Sequence, residues 1–141
     1  MGTLEQVLRF IGAILVASLA AGPLMWFAMV LMNIPTVPGV GWEILSVAIQ
    51  TIPLGALFAF LPNLIGATVM TGLGALFRPA RSPFAWIGAG ALGGLLVAAI
   101  FNAAALDDKS MFVAMILTGM ACAAICRAFT RWPEEAGHAQ A

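Results

Sequence analysis

Sulfur-bearing side chains are the residues in this sequence whose types and spacing best suit chemistry. At about 100° per residue on a helix, Met25, Met29 and Met32 share one face, and Met111 and Met115 share a face with both cysteines. Thioether and thiolate ligands select Cu(I), so the pattern predicts a pathway for a soft metal ion. The competing interpretation, which we prefer from sequence alone, is that Met and Cys are adaptable apolar packing residues. The residues concerned are Met25, Met29, Met32, Met111, Met115, Cys122 and Cys126.

Other kinds of catalytic or metal site lack the residues they need. The single histidine is His138, so a bis-histidine haem or a zinc site has no set of ligands. Cys122 and Cys126 are four residues apart, which is not the C-x-x-C spacing of redox motifs. No Asp, Glu, Lys or Arg lies in the middle of an apolar run, where proton-coupled transporters usually carry one. We therefore expect a protein that is not an enzyme and has no cofactor.

The stretch IQTIPLGALFAFLPNLIG, residues 49–66, places helix breakers and polar side chains within an apolar run. Each proline removes a backbone N–H and frees the carbonyl four residues earlier, which must find another donor inside a membrane. The stretch therefore predicts a kinked helix whose freed carbonyls are repaired by nearby polar side chains. The alternative is a broken helix that lines a polar cavity, as in transporters. The kink and its polar repair involve Gln50, Thr51, Pro53, Pro62 and Asn63.

Apolar runs separated by short charged segments must position these side chains. Hydrophobic residues make up 62% of the 141 positions and charged residues 9%, whereas soluble domains carry about a quarter of charged residues. The runs are long enough for spans of roughly 20 residues, and none alternates as barrel strands do. The predicted fold is an all-α integral membrane protein, a four-helix bundle with a proline-kinked second helix. The spans are residues 10–32, 44–70, 84–106 and 111–129, within a membrane domain of residues 1–132 that precedes a short polar tail, 133–141.

The second apolar run continues as far as Phe77 and is too long for one perpendicular span. Dividing it at Pro62 and Asn63 would create a fifth span and would move the later arginines to the outside, which the distribution of basic residues opposes. We prefer one long, kinked span whose last turns lie obliquely at the membrane interface. A half-length re-entrant segment is the other alternative.

Basic residues predict the orientation, because Lys and Arg stay preferentially on the cytoplasmic side. Five of the six lie near the N-terminus, between spans two and three, or near the C-terminus, and Lys109 is the exception. Both termini are therefore expected in the cytoplasm, and the membrane is expected to be a bacterial inner membrane. A cleavable signal peptide is the competing interpretation of the first span. Tryptophan anchors are expected at the two interfaces, Trp42 at the outer one and Trp86 and Trp132 at the inner one.

Small residues predict where the last two spans pack together. Gly90 and Gly94 are four residues apart in span three, and Gly119 and Ala123 are four apart in span four. Small side chains let helix backbones approach closely, which is a main source of association between helices in lipid. Because only a few residues separate these spans, we expect a tight antiparallel hairpin.

Four short helices enclose little volume, so the function is expected to depend on an assembly. The leading prediction is a structural or accessory subunit that is not an enzyme. The alternative is a small oligomeric transporter or channel, with a soft metal ion such as Cu(I) as its substrate. The expected partners are the lipid bilayer and either further copies of this chain or a larger membrane complex. Basic residues flank spans as membrane anchors do, so nucleic acid is not an expected partner.

Overall fold

A computed structural model describes residues 3–32, 42–102, 109–130 and 132, and nearly all of these residues are helical. Each of its four helices is long and apolar enough to cross a membrane, and the described residues contain no strand. The prediction of a four-helix integral membrane bundle is therefore confirmed. The helices are α1 (Thr3–Met32), α2 (Trp42–Leu76), α3 (Pro83–Asn102) and α4 (Lys109–Phe129), with a 3-10 turn (Arg78–Arg81) between α2 and α3. The predicted tail, residues 133–141, and the last four residues of the predicted third span lie outside the described residues.

The first helix begins well before the apolar run and continues directly into it. Its first turns carry an ion pair between Arg9 and Glu5, whose atoms are 2.8 Å apart at the favourable i,i+4 spacing. Pro23 lies inside the helix without ending it. The 30 residues of α1 span about 45 Å at 1.5 Å per residue, which exceeds the hydrocarbon core of a bilayer.

The second helix is one uninterrupted element that contains both Pro53 and Pro62. Its 35 residues span about 52 Å, against about 30 Å of hydrocarbon, so the excess must tilt or extend along the interface. A division at Pro62 into two spans does not occur. The helix is followed by the 3-10 turn, where the Phe77 N–H donates to the Leu73 carbonyl at 2.7 Å.

Helix packing leaves the bundle open on one side. The first helix packs against α2 and α4, and α3 packs against α4, whereas α2 and α3 make only sparse contact with each other. The helices are thus arranged in the order α2, α1, α4, α3, with a gap between the outer two. We call the end of the bundle at which α1 ends and α4 begins the distal end. The opposite end, where the 3-10 turn lies, is the basic end.

Two glycine contacts hold the helices together in pairs. Gly22 of α1 and Gly55 of α2 approach so closely that a Cβ atom on Gly22 would overlap the Thr51 carbonyl. A Cβ atom on Gly90 of α3 would similarly overlap the carbonyl of Gly119 in α4. Close approach of this kind requires glycine, because any side chain would separate the backbones. The molecule therefore consists of two tightly packed helix pairs, α1 with α2 and α3 with α4.

Trp86 lies in the core, where an interfacial anchor was predicted. Its side chain is 1% exposed and belongs to a buried cluster contributed by all four helices, which includes Ile14, Met70 and Cys126. The prediction for this residue is wrong, because its ring packs inside the bundle and does not face the membrane interface. Trp132, predicted as an anchor at the same interface, is also buried, at 7% exposed. Trp42, by contrast, is 78% exposed at the distal end, as an interfacial residue should be.

The basic end is held by arginine side chains that bond to backbone carbonyls. The Arg81 Nε donates to the Gly74 carbonyl at 2.7 Å, and the Arg127 Nε donates to the Arg81 carbonyl at 2.6 Å. The Arg81 guanidinium also stacks 4.8 Å from the centre of the Trp132 ring, and that ring packs on Gly74. These contacts join the end of α2, the 3-10 turn and the end of α4, and they satisfy carbonyls that a helix end leaves without partners.

Candidate functional site

A cavity of about 850 Å³ lies between the four helices. Its walls run along residues 51–70 of α2 and residues 86–100 of α3, and its back is formed by α1 and α4. Because α2 and α3 barely touch, the cavity continues into a groove between them, which we call the α2/α3 groove. The volume falls in the range of about 300–1,000 Å³ that is typical of ligand sites.

The lining is apolar, with sulfur as its most distinctive element. Six of the seven residues in the predicted sulfur pattern line the cavity, from α1 and α4. Met32 is the exception, because it lines a separate small depression with Leu31 and Leu117. The six residues are Met25, Met29, Met111, Met115, Cys122 and Cys126.

One further sulfur residue in the cavity, Met70 of α2, was missed by the sequence analysis. It is 8% exposed and belongs to the same buried cluster as Cys122 and Cys126. Met70 lies seven residues after Asn63, which is two helical turns along the same face of α2. That spacing from a predicted site residue was the signal that could have identified it.

Polar side chains meet near the middle of the cavity and link helices to each other. The Asn63 Nδ2 donates to the Ser18 hydroxyl at 3.2 Å, which joins α2 to α1. The Cys122 thiol donates to the Ala17 carbonyl at 3.3 Å, which joins α4 to α1. The two bonds end at neighbouring residues of α1, so these groups form one small polar cluster. Each polar group of this cluster thus has a hydrogen-bond partner within the protein.

The predicted polar repair of the proline kinks differs from what the side chains do. Thr51 donates to the Ala48 carbonyl at 2.7 Å, rather than to the carbonyl freed by Pro53. Asn63 donates across to α1, rather than to the carbonyl freed by Pro62. The two side chains point away from the carbonyls that the prolines free. The Thr51 hydroxyl reaches back along its own helix face, and the Asn63 side chain faces a neighbouring helix.

Some of the residues predicted to form the kink and its polar repair line the cavity, and others do not. Thr51, Pro62 and Asn63 line it, whereas Gln50 and Pro53 are exposed on other faces of α2. The stretch that carries both prolines, residues 49–66, therefore contributes to one wall of the cavity, and α2 is continuous through it.

The predicted packing residues lie together at the contact between α3 and α4. A Cβ atom added to Gly90 would be 2.6 Å from the Cβ of Ala123 and closer still to the carbonyl of Gly119. One added to Gly94 would overlap the carbonyl of Met115. The corresponding contact between Gly22 and Gly55 was not predicted, because neither residue belongs to a G-x-x-x-G pair.

The lining residues can make apolar contacts, hydrogen bonds and sulfur–metal bonds to a ligand. Within the described ranges, no group of three or more His, Cys, Asp or Glu side chains is placed to hold a metal ion. Trp86 lines the cavity, and its indole Nε1 has no hydrogen-bond partner among the described residues. The class that this fold and site define is a four-helix integral membrane protein with a laterally open apolar cavity. No family model matches the chain, and no curated protein or solved structure matches it significantly.

Proposed function

We propose that this protein is a non-enzymatic subunit of a membrane assembly, in which a transmembrane helix of another subunit occupies the α2/α3 groove. The observation that carries the proposal is that the bundle is not closed on this side. The groove runs along residues 51–70 of α2, which is about 28 Å at 1.5 Å per residue and close to the thickness of the hydrocarbon core. A helix of another chain has the length and the direction to fill it.

Two glycines in the groove favour the proposal that a helix of another chain packs there. Gly66 of α2 and Gly93 of α3 both line the cavity, and a Cβ atom on either one would meet no atom within 4 Å. They differ from Gly22 and Gly90, which the fold itself requires. Glycine inside a helix costs about 0.5–1 kcal/mol relative to alanine, and a contact within the groove is a benefit that would offset this cost at these two positions. Close approach of a helix from another chain supplies that benefit.

The test uses isoleucine substitutions at glycines that differ only in their position relative to the groove. Gly66→Ile and Gly93→Ile are expected to separate the assembly, because a branched side chain prevents close approach of the partner helix. Gly72→Ile on α2 and Gly88→Ile on α3 are the matched controls, since these sites are equally open but do not line the cavity. The mass of the complex is measured by native mass spectrometry in mild detergent, and helicity by circular dichroism.

The proposal is contradicted if the unmodified protein is a monomer, or if both groove variants retain the complex. Loss of the complex in the control variants as well would show that the groove is not the interface. The composition of the complex identifies the other subunit, which is either a second copy of this chain or a different membrane protein.

A second candidate is a small oligomeric transporter or channel for a soft metal ion. It is favoured by the sulfur residues that α1 and α4 bring to one cavity. In this case the covering helix would come from a second copy of the chain and would exclude lipid from the sulfur-lined wall. A homo-oligomer that accumulates Ag(I) or Cu(I) in sealed vesicles supports it, and absence of uptake would reject it.

For the orientation, we propose that both termini face the cytoplasm, in a bacterial inner membrane. Arg78, Arg81 and Arg127 lie together at the basic end, and basic residues are retained on the cytoplasmic side.

A further inference from the structure

Four methionines of α1 and α4 occupy matched positions in the cavity wall. Met25 and Met29 are four residues apart on α1, and Met111 and Met115 are four apart on α4, so each pair lies on one helical face. All four line the cavity, and all four are partly buried, neither fully exposed to lipid nor enclosed in the core.

The relative depth of these methionines can be counted from the contact between Ala17 and Cys122, which marks the register of two antiparallel helices that pack along their length. Eight residues beyond Ala17 along α1 lies Met25, and seven residues before Cys122 along α4 lies Met115. Another four residues along each helix reach the second pair, Met29 and Met111. At 1.5 Å per residue, the members of each cross-helix pair differ in depth by only about 1.5 Å.

We infer that Met25, Met29, Met111 and Met115 form a binding site for a soft monovalent metal ion, Cu(I), at the distal end of the cavity. Thioethers are soft, neutral ligands that select Cu(I) over hard cations. A divalent ion would bring two charges into a lining without carboxylates, and burying an uncompensated charge is costly. A monovalent ion brings only one charge, and it binds by donation from sulfur lone pairs without displacing any proton.

This site deepens the second candidate function, but it does not depend on the assembly. All its ligands come from α1 and α4 of one chain, whereas the proposed partner helix lies on the opposite side, between α2 and α3. Loss of metal binding and loss of the complex can therefore be observed separately. The sulfur set of Met70, Cys122 and Cys126 lies deeper in the cavity and is the main competitor for the metal, so the experiment must distinguish the two sets.

The probe is Ag(I), a redox-inert substitute for Cu(I), titrated calorimetrically into the whole protein in mild detergent and chloride-free buffer. We expect one ion per chain. Met29→Leu with Met111→Leu should weaken binding about a hundredfold or more, because even loss of an outer-shell partner typically costs about 10–100-fold. The matched control is Met32→Leu, which changes a methionine of the same α1 pattern that lies outside the cavity. Leucine preserves volume, so the variants are expected to fold.

Two further measurements separate thioethers from thiols. Thioether binding should have the same Kd from about pH 8 to about pH 5, whereas a thiol must lose its proton and would bind more weakly in acid. Cys122→Ala with Cys126→Ala should leave Ag(I) binding unchanged. Abolished binding in this cysteine variant, or in acid, overturns the assignment to methionine, as does a wild-type protein that binds no Ag(I).

A measurement on the wild-type protein covers the case in which a methionine variant does not fold. Peroxide converts accessible methionine to its sulfoxide, and a metal-bound sulfur is protected from this reaction. Mass spectrometry of peptides is expected to show that Ag(I) slows oxidation of the four site methionines and leaves Met32 unaffected. Equal oxidation with and without Ag(I) would contradict the site.

Discussion

The side-chain amide of Asn63 donates a hydrogen bond to the hydroxyl of Ser18, 3.2 Å away, and so joins α2 to α1 near the middle of the bundle. Ser18 is only 1% exposed, which keeps its hydroxyl away from both lipid and water. The polar side chain that follows Pro62 is therefore used between helices. Interhelical hydrogen bonds in membranes average about 0.6 kcal/mol and reach about 1.7 kcal/mol.

Asn63→Leu is expected to lower the free energy of unfolding by roughly 0.5–2 kcal/mol, because it removes this bond and leaves the Ser18 hydroxyl buried. A double-mutant cycle with Ser18→Ala should give a coupling near 0.6 kcal/mol, measured by SDS-induced unfolding monitored by circular dichroism. Gln50→Leu is the control, since that amide is exposed on the same helix. A coupling of zero would show that the two side chains do not interact in the membrane.

Pro62→Ala is expected to change stability by no more than about 1–2 kcal/mol. The alanine restores an N–H that can bond to the Phe58 carbonyl, and α2 is already continuous through this position. Pro53→Ala serves as the comparison, because Pro53 does not line the cavity. If Pro62→Ala alone folds normally but loses assembly or metal uptake, the bend at Pro62 is functional and the structural interpretation is wrong.

Gly90→Ile and Gly94→Ile are expected to be among the most destabilising substitutions in the chain. The added side chains would overlap backbone carbonyls of α4, which cannot move aside as a flexible side chain can. Overpacking typically costs about 1–3 kcal/mol, and we expect values at or above the upper end. Gly88→Ile, where a Cβ atom meets nothing within 4 Å, is the control. Unchanged melting of Gly90→Ile would show that α3 and α4 do not pack at this residue.

The proposed orientation predicts that positions 80 and 109 lie on opposite sides of the membrane. In a background with Cys122→Ala and Cys126→Ala, Ala80→Cys should react with an impermeant maleimide only from the cytoplasmic side. Lys109→Cys should react only from the other side. Labelling of intact cells and of inverted vesicles measures the accessibility of both cysteines. If both react from the same side, α3 does not cross the membrane between positions 80 and 109, and the proposed orientation is wrong.

The spans were predictable from composition, because only an apolar run of sufficient length can lie in a bilayer. The helix faces that contact each other were predictable only in part. Soluble helices reveal their buried face by an apolar stripe, but here the faces toward lipid and toward protein are both apolar. Gly90 and Gly94 were identifiable by their spacing, whereas Gly22 and Gly55 belong to no such pattern, and only its spacing from Asn63 pointed to Met70. Trp86 was misassigned because its position near the end of a span resembles that of an interfacial anchor.

The open side of the bundle also has a mechanical consequence. The two helix pairs meet along the contact between α1 and α4, while their outer members, α2 and α3, make only sparse contact with each other and are joined by the 3-10 turn at the basic end. At helix spacings of 8–10 Å, a rotation of about 10° between the pairs displaces each outer helix by roughly 1.5 Å. The turn restrains this displacement at the basic end, and among the described residues no such connection joins α2 to α3 at the distal end. We therefore expect the width of the groove to change most easily at its distal end, and a helix bound there would set that width.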